Sequence, residues 1–464
     1  MTTPTETTTS TLDAVLTAAA AAARSLDRTP AAGRAAWLRA VADRLDDAAD
    51  SLVPIAIRET HLPEPRLRGE LVRTTFQARL LAEAVEQGWH ADIRIDIADP
   101  QWPMGPRPDL RRTTVALGPV VVFAASNFPF AFSVFGGDTA SALAAGCPVI
   151  VKTHPGHPEL SAATADVVSS ALAGLAPAGA FATISSDEDG ATALADPRIK
   201  AGAFTGSTRV GRILFDIASQ RPQPIPFFGE LGSTNPVVVT LDGWRTRADD
   251  IAREFAESVS LGAGQFCTKP GVLIVPDADD FIARTPDVIV GEMLNPRIAQ
   301  AFAASANSLS ELVGPPTAAA TGRAFQGPVP LFRVTSAQAV QTPQILEHEV
   351  FGPAALIVEY RDAADALAVV DAVGGQLTGT VIGANEPDEQ ALELIPRLAE
   401  HVGRVLWNQW PTGVSVTPAQ QHGGPYPAST APHTTSVGTA AIARFRRPVA
   451  YQNVPAAALP AELR

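Results

Sequence analysis

Apolar residues recur along the chain in three successive patterns. Across residues 10–90 they fall at helical spacing. Leu12, Val15 and Leu16 open an alanine-rich stretch, and Trp37, Leu38, Val41 and Leu45 mark one face of a second. At Ile93, Ile95 and Ile97 the period drops to two, which predicts a half-exposed strand, and Pro100, Pro103, Pro106 and Pro108 form a link behind it. Beyond that link, short apolar runs alternate with helical ones. Residues 120–124, 148–151 and 181–184 read as strands, with helices at 135–145, closed by Gly146, and at 160–175. A second set runs from a strand at 236–239 through a helix at 251–261 to a strand at 272–275. Such alternation predicts an α/β fold with parallel sheets and crossover helices. The tail at 445–452 reads as extended, and with the 93–97 strand it predicts an arm that pairs between subunits.

At 464 residues the chain has room for two or three domains of roughly 100–200 residues each. Hydrophobic residues are 46% and charged residues 18%, a balance that supports packed cores rather than disorder. A net charge of −13 argues against a broad nucleic-acid or anionic-membrane surface. No apolar run nears the ~20 residues of a membrane-spanning helix. Residues 1–6 lack the basic and apolar parts of a secretory signal and read as a short disordered lead. Two cysteines cannot build a disulfide framework and suit a reducing compartment, which points to the cytoplasm. The eight histidines show no paired ligand spacing, so no structural metal is expected.

Cys267 lies in Gly262-Ala263-Gly264-Gln265-Phe266-Cys267-Thr268, where small residues let the backbone approach a substrate closely. Far upstream, Glu230 is bracketed by glycines in Phe228-Gly229-Glu230-Leu231-Gly232. A thiol and a carboxylate brought together by the fold are the minimal equipment for covalent catalysis on a carbonyl. Cys147, between Gly146 and Pro148 at a strand start, reads instead as a core residue. The loop Thr205-Gly206-Ser207 feeds a helix with Val210, Ile213, Leu214 and Ile217 on one face, a ready phosphate site, although an ordinary helix cap explains it equally well. Lys152 ends a strand, where ligands of such sheets gather; a surface lysine is the plainer alternative. Asn127 follows another strand, either as an oxyanion donor or as a turn residue before Pro129. Glu349, in Glu347-His348-Glu349-Val350-Phe351-Gly352-Pro353, can accept from ribose hydroxyls beside the Phe351 ring, or belong to a solvated charge pair.

In this order, from Asn127 and Lys152 through the 204–207 loop, Glu230 and Cys267 to the 349–353 run, the chain resembles the aldehyde dehydrogenase superfamily over essentially its whole length. The runs at 125–133, 229–236 and 422–428 are most similar to the α-ketoglutaric semialdehyde (2,5-dioxopentanoate) dehydrogenases. The resemblance implies a Rossmann-type cofactor domain at 1–92 and 114–228, an α/β catalytic domain at 229–428, and a small β oligomerisation arm at 93–113 and 429–464. A homodimer or homotetramer is the implied assembly.

By the same resemblance, Cys267 is the nucleophile and Glu230 activates water. The Asn127 amide and the Cys267 backbone N–H steady the oxyanion, and Lys152 serves catalysis and cofactor binding. The implied reaction is NAD(P)-dependent oxidation of an aldehyde to an acid through a cysteine thioester, with 2,5-dioxopentanoate the foremost substrate. Succinic semialdehyde, a fatty aldehyde, or a nicotinamide-independent thiol acyltransferase or hydrolase activity are the alternatives. Lys152, His154, Thr205, Gly206, Ser207, Arg209, Gly211, Glu349 and Phe351 are the candidate cofactor-binding residues. Many NAD-dependent relatives carry a glutamate where this chain has Pro155. Its loss favours a 2′-phosphate, with Lys152, His154 and Arg209 as partners, so NADP is expected and NAD is the alternative. Phe128, Phe132 and Phe266 are the candidate substrate walls, and Lys269 is expected at the solvent or the substrate mouth, near the 422–428 loop. No group for a distal carboxylate can be read from spacing alone.

Overall fold

The apolar runs become two parallel sheets, described here for residues 9–464 of a computed structural model. The lead expected at residues 1–6 lies outside the described residues. The first sheet has the spatial order Phe181–Ile184, Val149–Lys152, Val120–Phe123, Ala201–Thr205 and Phe227–Glu230, all parallel. Val120, Val121, Val149, Ile150 and Val151 are fully buried, because helices cover both faces. The chain starts in the middle of this sheet, winds to one edge, and returns to build the other. The direction of winding reverses between the 120–123 and 201–205 strands, and the crevice at the carboxyl ends there is where such sheets bind ligands. Asn127, Lys152, Ser207 and Glu230 all sit at or just beyond those ends.

The second sheet has six parallel strands, in the order Leu331–Thr335, Ala355–Glu359, Val272–Val275, Pro236–Val239, Gln376–Ile382 and Val402–Trp407. Phe255, Phe281, Phe302, Phe332 and Tyr360 fill its core. The helix predicted at 135–145 forms as Gly137–Ala145 and ends at Gly146, whose φ of +89° is the left-handed closure glycine allows. The helix predicted at 160–175 spans Pro158–Leu172. The helix predicted at 251–261 is the second part of a helical run, Leu241–Ser260, broken by a kink at Arg247 (φ −137°); the first part is capped by the Thr240 hydroxyl, which accepts from Gly243 N. Its first turns are too polar to reveal an apolar face.

The tail and the first strand share one small sheet, as expected of the arm. Its antiparallel order is Arg94–Asp96, Leu110–Ala116, Arg446–Gln452, so the two meet through the 110–116 strand between them. The middle strand, Leu-Arg-Arg-Thr-Thr-Val-Ala, has no apolar alternation to announce it. Residues 94–96 form an exposed edge strand, with Ile95 at 48% exposure, as the alternating pattern predicts. The boundary expected at 113/114 therefore cuts a strand, and the one at 228/229 cuts Phe227–Glu230. Residues 429–445 also leave the arm: Ser429 bridges Glu230, and Ile442 and Phe445 pack into the core around the five-stranded sheet. Among the described residues, no helix is long and apolar enough to cross a membrane.

Candidate functional site

Cys267 is presented by a loop that runs through three consecutive left-handed residues, Gly262, Ala263 and Gly264, at φ of +57°, +55° and +66°. Glycine tolerates this; Ala263 does not without cost, and such strain persists where surrounding structure enforces it. A Cβ on Gly264 would run into the Gly352 and Pro353 backbone, so the loop seats directly on the 349–353 run. Asn235 holds the far side. Its Nδ2 donates to the carbonyls of Cys267 (2.7 Å) and Lys269 (2.9 Å), while its Oδ1 accepts from Ser233 Oγ and Thr378 Oγ1. Asn127, beyond the 120–123 strand, donates from Nδ2 to the Gln265 carbonyl at 3.1 Å, which brings its amide to the same loop.

Glu230 ends the edge strand of the first sheet and is buried at 3% exposure. Its Oε2 accepts from Ser436 Oγ at 2.6 Å, and its Oε1 stands 3.0 Å from His422 Nε2. The same Nε2 lies 3.6 Å from Cys267 Sγ. The Oε1 contact has ion-pair distance but not hydrogen-bond alignment, so Oε1 has no hydrogen-bond partner, nor does His422 Nδ1. His422 is fully enclosed and is the residue that joins the thiol to the carboxylate. Its loop is named in the sequence resemblance, but nothing in chain spacing shows the contact. Burial works to raise the Glu230 carboxyl, yet the His422 ring, the Ser436 hydroxyl and Arg444 outweigh it and hold the group below its ordinary range. The Cys267 thiol is pushed well above its ordinary value, first by burial and then by the Glu230 and Glu349 carboxylates. Cys147 is wholly buried, its thiol raised to about 11 by desolvation, as suits a core residue.

A cleft of about 260 Å³ opens beside Cys267. Phe128, Phe132 and Phe266 line it, packed edge to face at 5.5 and 5.2 Å between ring centroids. Arg66, Glu70 and Arg73 line it too, from one face of the helix Glu64–Glu86. Glu70 Oε1 accepts from the Phe130 and Ala131 backbone N–H groups, which ties this helix to the segment after Asn127. Arg66 donates from Nη2 to the Asn127 carbonyl at 2.9 Å and lies over the Phe128 and Phe266 rings. Arg73 lies 5.4 Å from the Phe132 ring centroid. The Nη1 atoms of both arginines are buried without a hydrogen-bond partner. These cations were invisible to motif reading; their one signal is the i, i+4, i+7 spacing of Arg66, Glu70 and Arg73 on a helix.

On another side of Cys267 lie the candidate cofactor residues. Ser207 caps the helix Thr208–Ser219, and the Gly206 N–H donates to the Glu230 carbonyl, so the 205–207 loop adjoins the strand that bears Glu230. Gly211 is explained by packing, since a Cβ there would enter Leu231 and Phe204. Glu349 Oε2 occupies the space a Cβ on Gly232 would need, beside the Thr208 hydroxyl. Its carboxyl is raised to about 7 by burial, against the opposing Lys269 charge and Ser233 N–H. Phe351 follows it, half-buried. Lys152 is buried and pairs with the exposed Asp187 carboxylate. His154 accepts from Gly156 N through Nδ1 and is depressed to about 3 by burial, His157 and Lys152, so it is a neutral donor and not a cation. Arg209 is exposed. Arg297, missed in the sequence, lies close enough to His154 and Asp187 to depress both. Lys269 is neither at the solvent nor at the mouth. It is buried, donating to the Val350 and Ala354 carbonyls at 3.1 and 2.7 Å, and so fastens the Glu349 run to the Cys267 loop.

Residues 1–431 match the model of the aldehyde dehydrogenase family. Over 449 residues the chain is 44% identical to alpha-ketoglutaric semialdehyde dehydrogenase 2 of Azospirillum brasilense, covering 93% of this chain and 84% of that one. It is 40% identical over 466 residues to alpha-ketoglutaric semialdehyde dehydrogenase of Acinetobacter baylyi, covering 97% and 88%. Its fold is that of the NAD-dependent aldehyde dehydrogenase from Sinorhizobium meliloti, with a TM-score of 0.77 at 22% identity over 97% of this chain and 88% of that one.

Proposed function

Since the chain belongs to the aldehyde dehydrogenase family, we propose that it oxidises 2,5-dioxopentanoate, α-ketoglutaric semialdehyde, to 2-oxoglutarate through a thioester on Cys267. The observation that carries the substrate is the cleft beside Cys267, walled by phenylalanines and holding two arginines whose Nη1 groups lack partners. An apolar aldehyde would leave those donors buried and unpaired at a cost of several kcal/mol. A distal 2-oxo acid satisfies them, while the phenylalanines enclose its short methylene chain.

In this mechanism His422 Nε2, 3.6 Å from Sγ, accepts the thiol proton as sulfur attacks the aldehyde carbon. The carbonyl oxygen becomes an anion, held by the Asn127 amide and the Cys267 backbone N–H; each such donor contributes on the order of 3 kcal/mol. A nicotinamide cofactor, which Lys152, Ser207 and Glu349 would hold, would supply the two-electron oxidant as a hydride acceptor. Glu230 then takes a proton from water as the water oxygen adds to the thioester carbon. The C–S bond breaks, the acid leaves, and the thiol is restored.

The nucleotide side fits the cofactor by its own chemistry: a capped helix N-terminus for phosphate, a buried lysine, and a glutamate seated over Gly232. We place Lys152 and Arg297, rather than His154 or Arg209, against a 2′-phosphate. The uncharged Pro155 favours NADP, and the Asp187 carboxylate beside Lys152 narrows that preference, so NAD is also used. Glu349 accepts from ribose hydroxyls as a carboxylate, and it is protonated as pH falls through about 7. The KM for nicotinamide is therefore expected to rise below that pH and stay flat at higher pH. Glu349→Gln should abolish the trend; an unchanged profile would remove Glu349 from the cofactor site. Exposed Ile95, Ile97 and Met104 on the arm supply the surface for a homo-oligomer.

The test is the initial rate of reduced nicotinamide formation with 2,5-dioxopentanoate, succinic semialdehyde and a long-chain aldehyde, each with NADP and NAD. The first pairing with NADP should give the highest kcat/KM. Arg73→Leu should lower it by about 3 kcal/mol, on the order of 10²-fold, and spare the long-chain aldehyde. A long-chain preference in the unmodified protein would overturn the substrate and leave the thioester chemistry standing.

A further inference from the structure

We propose that Cys267, His422 and Glu230 form a binding site for Zn²⁺, and that its occupancy arrests the enzyme. Among the described residues these are the one group of three metal-ligating side chains whose donor atoms all lie within 4.8 Å of one another. The donors are a sulfur, an imidazole nitrogen and a carboxylate oxygen. That mixture suits a borderline-soft ion such as Zn²⁺ and excludes Mg²⁺ and Ca²⁺, which want oxygen alone.

The two distances from the His422 nitrogen match as well as the chemistry, and the Glu230 oxygen and Cys267 sulfur lie within 4.8 Å of each other. Tetrahedral zinc, with bonds of about 2.0 Å to nitrogen and oxygen and about 2.3 Å to sulfur, sets its ligands about 3.3 Å (N to O) and about 3.6 Å (N to S) apart. Here His422 Nε2 stands 3.0 Å from Glu230 Oε1 and 3.6 Å from Cys267 Sγ. Glu230 Oε1 is buried and without a hydrogen-bond partner, so binding an ion there breaks no existing hydrogen bond of that atom. Its sister Oε2 stays anchored by Ser436 Oγ. Phe132 lies against the His422 ring at 6.3 Å between centroids and limits its rotation. Three protein ligands leave a fourth position, and Cys267 borders the 260 Å³ cleft from which water or a substrate carboxylate can fill it.

Binding forms the Zn–S bond as the thiol releases one proton to solvent; nothing is oxidised or reduced. The ion then occupies the sulfur lone pair that would attack an aldehyde, the ring nitrogen and the carboxylate oxygen together. Metal binding stands on these three side chains alone, whereas arrest of turnover rests on the thioester reading of Cys267.

The full chain, stripped of metal and free of substrate and nicotinamide, is titrated with Co²⁺ as a spectroscopic stand-in and with Zn²⁺ by calorimetry. One ion per chain and a thiolate-to-cobalt charge-transfer band in the near ultraviolet are expected. Cys267→Ala should abolish the band, and Cys147→Ala should keep it. His422→Phe should weaken Zn²⁺ binding by at least about tenfold. If that variant does not fold, His422→Gln carries the same expectation. Zn²⁺ should stop aldehyde oxidation, and EDTA should restore it. No band, a band that survives Cys267→Ala, or unchanged Zn²⁺ affinity in the His422 variant would overturn the site. Stoichiometric binding at Cys267 without loss of turnover would overturn the arrest and the assignment of the nucleophile with it.

Discussion

Cys267→Ala is expected to lose aldehyde oxidation by on the order of 10⁵-fold while folding and binding nicotinamide normally. The loss is large because the thioester route has no second nucleophile: Cys147, the other cysteine, is wholly buried in the helical core. The fold should survive because the Cys267 loop is held by backbone contacts. Its carbonyl accepts from Asn235 Nδ2, and its neighbours are fixed through the Lys269 and Gln265 carbonyls, none of which needs the sulfur. Steady-state rates with 2,5-dioxopentanoate, beside fluorescence titration with NADP, check both halves. Retained turnover would remove Cys267 from the chemistry, and lost nicotinamide binding would mean that the variant disturbs the fold.

Glu230→Gln should separate the two halves of the reaction. Turnover is expected to fall roughly 10²- to 10⁴-fold, the range for a lost general base. A rapid burst of about one reduced nicotinamide per chain should precede the slow phase, because acylation does not need the carboxylate and hydrolysis does. Glutamine keeps the shape, and its amide oxygen can still accept from Ser436 Oγ, so a structural collapse is not expected. A stopped-flow trace decides it. If the burst itself is slow, Glu230 acts on the thiol, through the His422 ring that stands between them. Replacing His422 should do the opposite of Glu230→Gln and slow the burst, since the ring is the proton acceptor nearest to sulfur.

Much of this arrangement is legible in the chain before it folds. The strands at 120–123, 149–152, 236–239 and 272–275 declare themselves because they are buried on both faces and must be almost continuously apolar. The strand at 110–116 does not, since its residues are mostly half-buried and its pairing partner is contributed by residues 446–452. The helix at 241–260 is half hidden for a related reason: its start is set by a capping threonine rather than by an apolar face.

The functional residues divide along the same line. The sequence alone determined the chemistry on offer: a cysteine in a glycine-rich loop, a carboxylate between glycines, an amide and a lysine at strand ends. Those features are local, because a sharp turn, a close backbone approach and a strand end each demand particular residues at fixed offsets. Tertiary structure decided which groups meet. It set His422 between Cys267 and Glu230, turned Arg66 and Arg73 into the cleft, and made His154 neutral beside Lys152. It also buried Lys269 as a fastening for the Glu349 run. Contacts, burial and charge state depend on distance in space, and pairs as far apart in the chain as residues 267 and 422 acquire that distance only when two sheets and their connecting loops have packed.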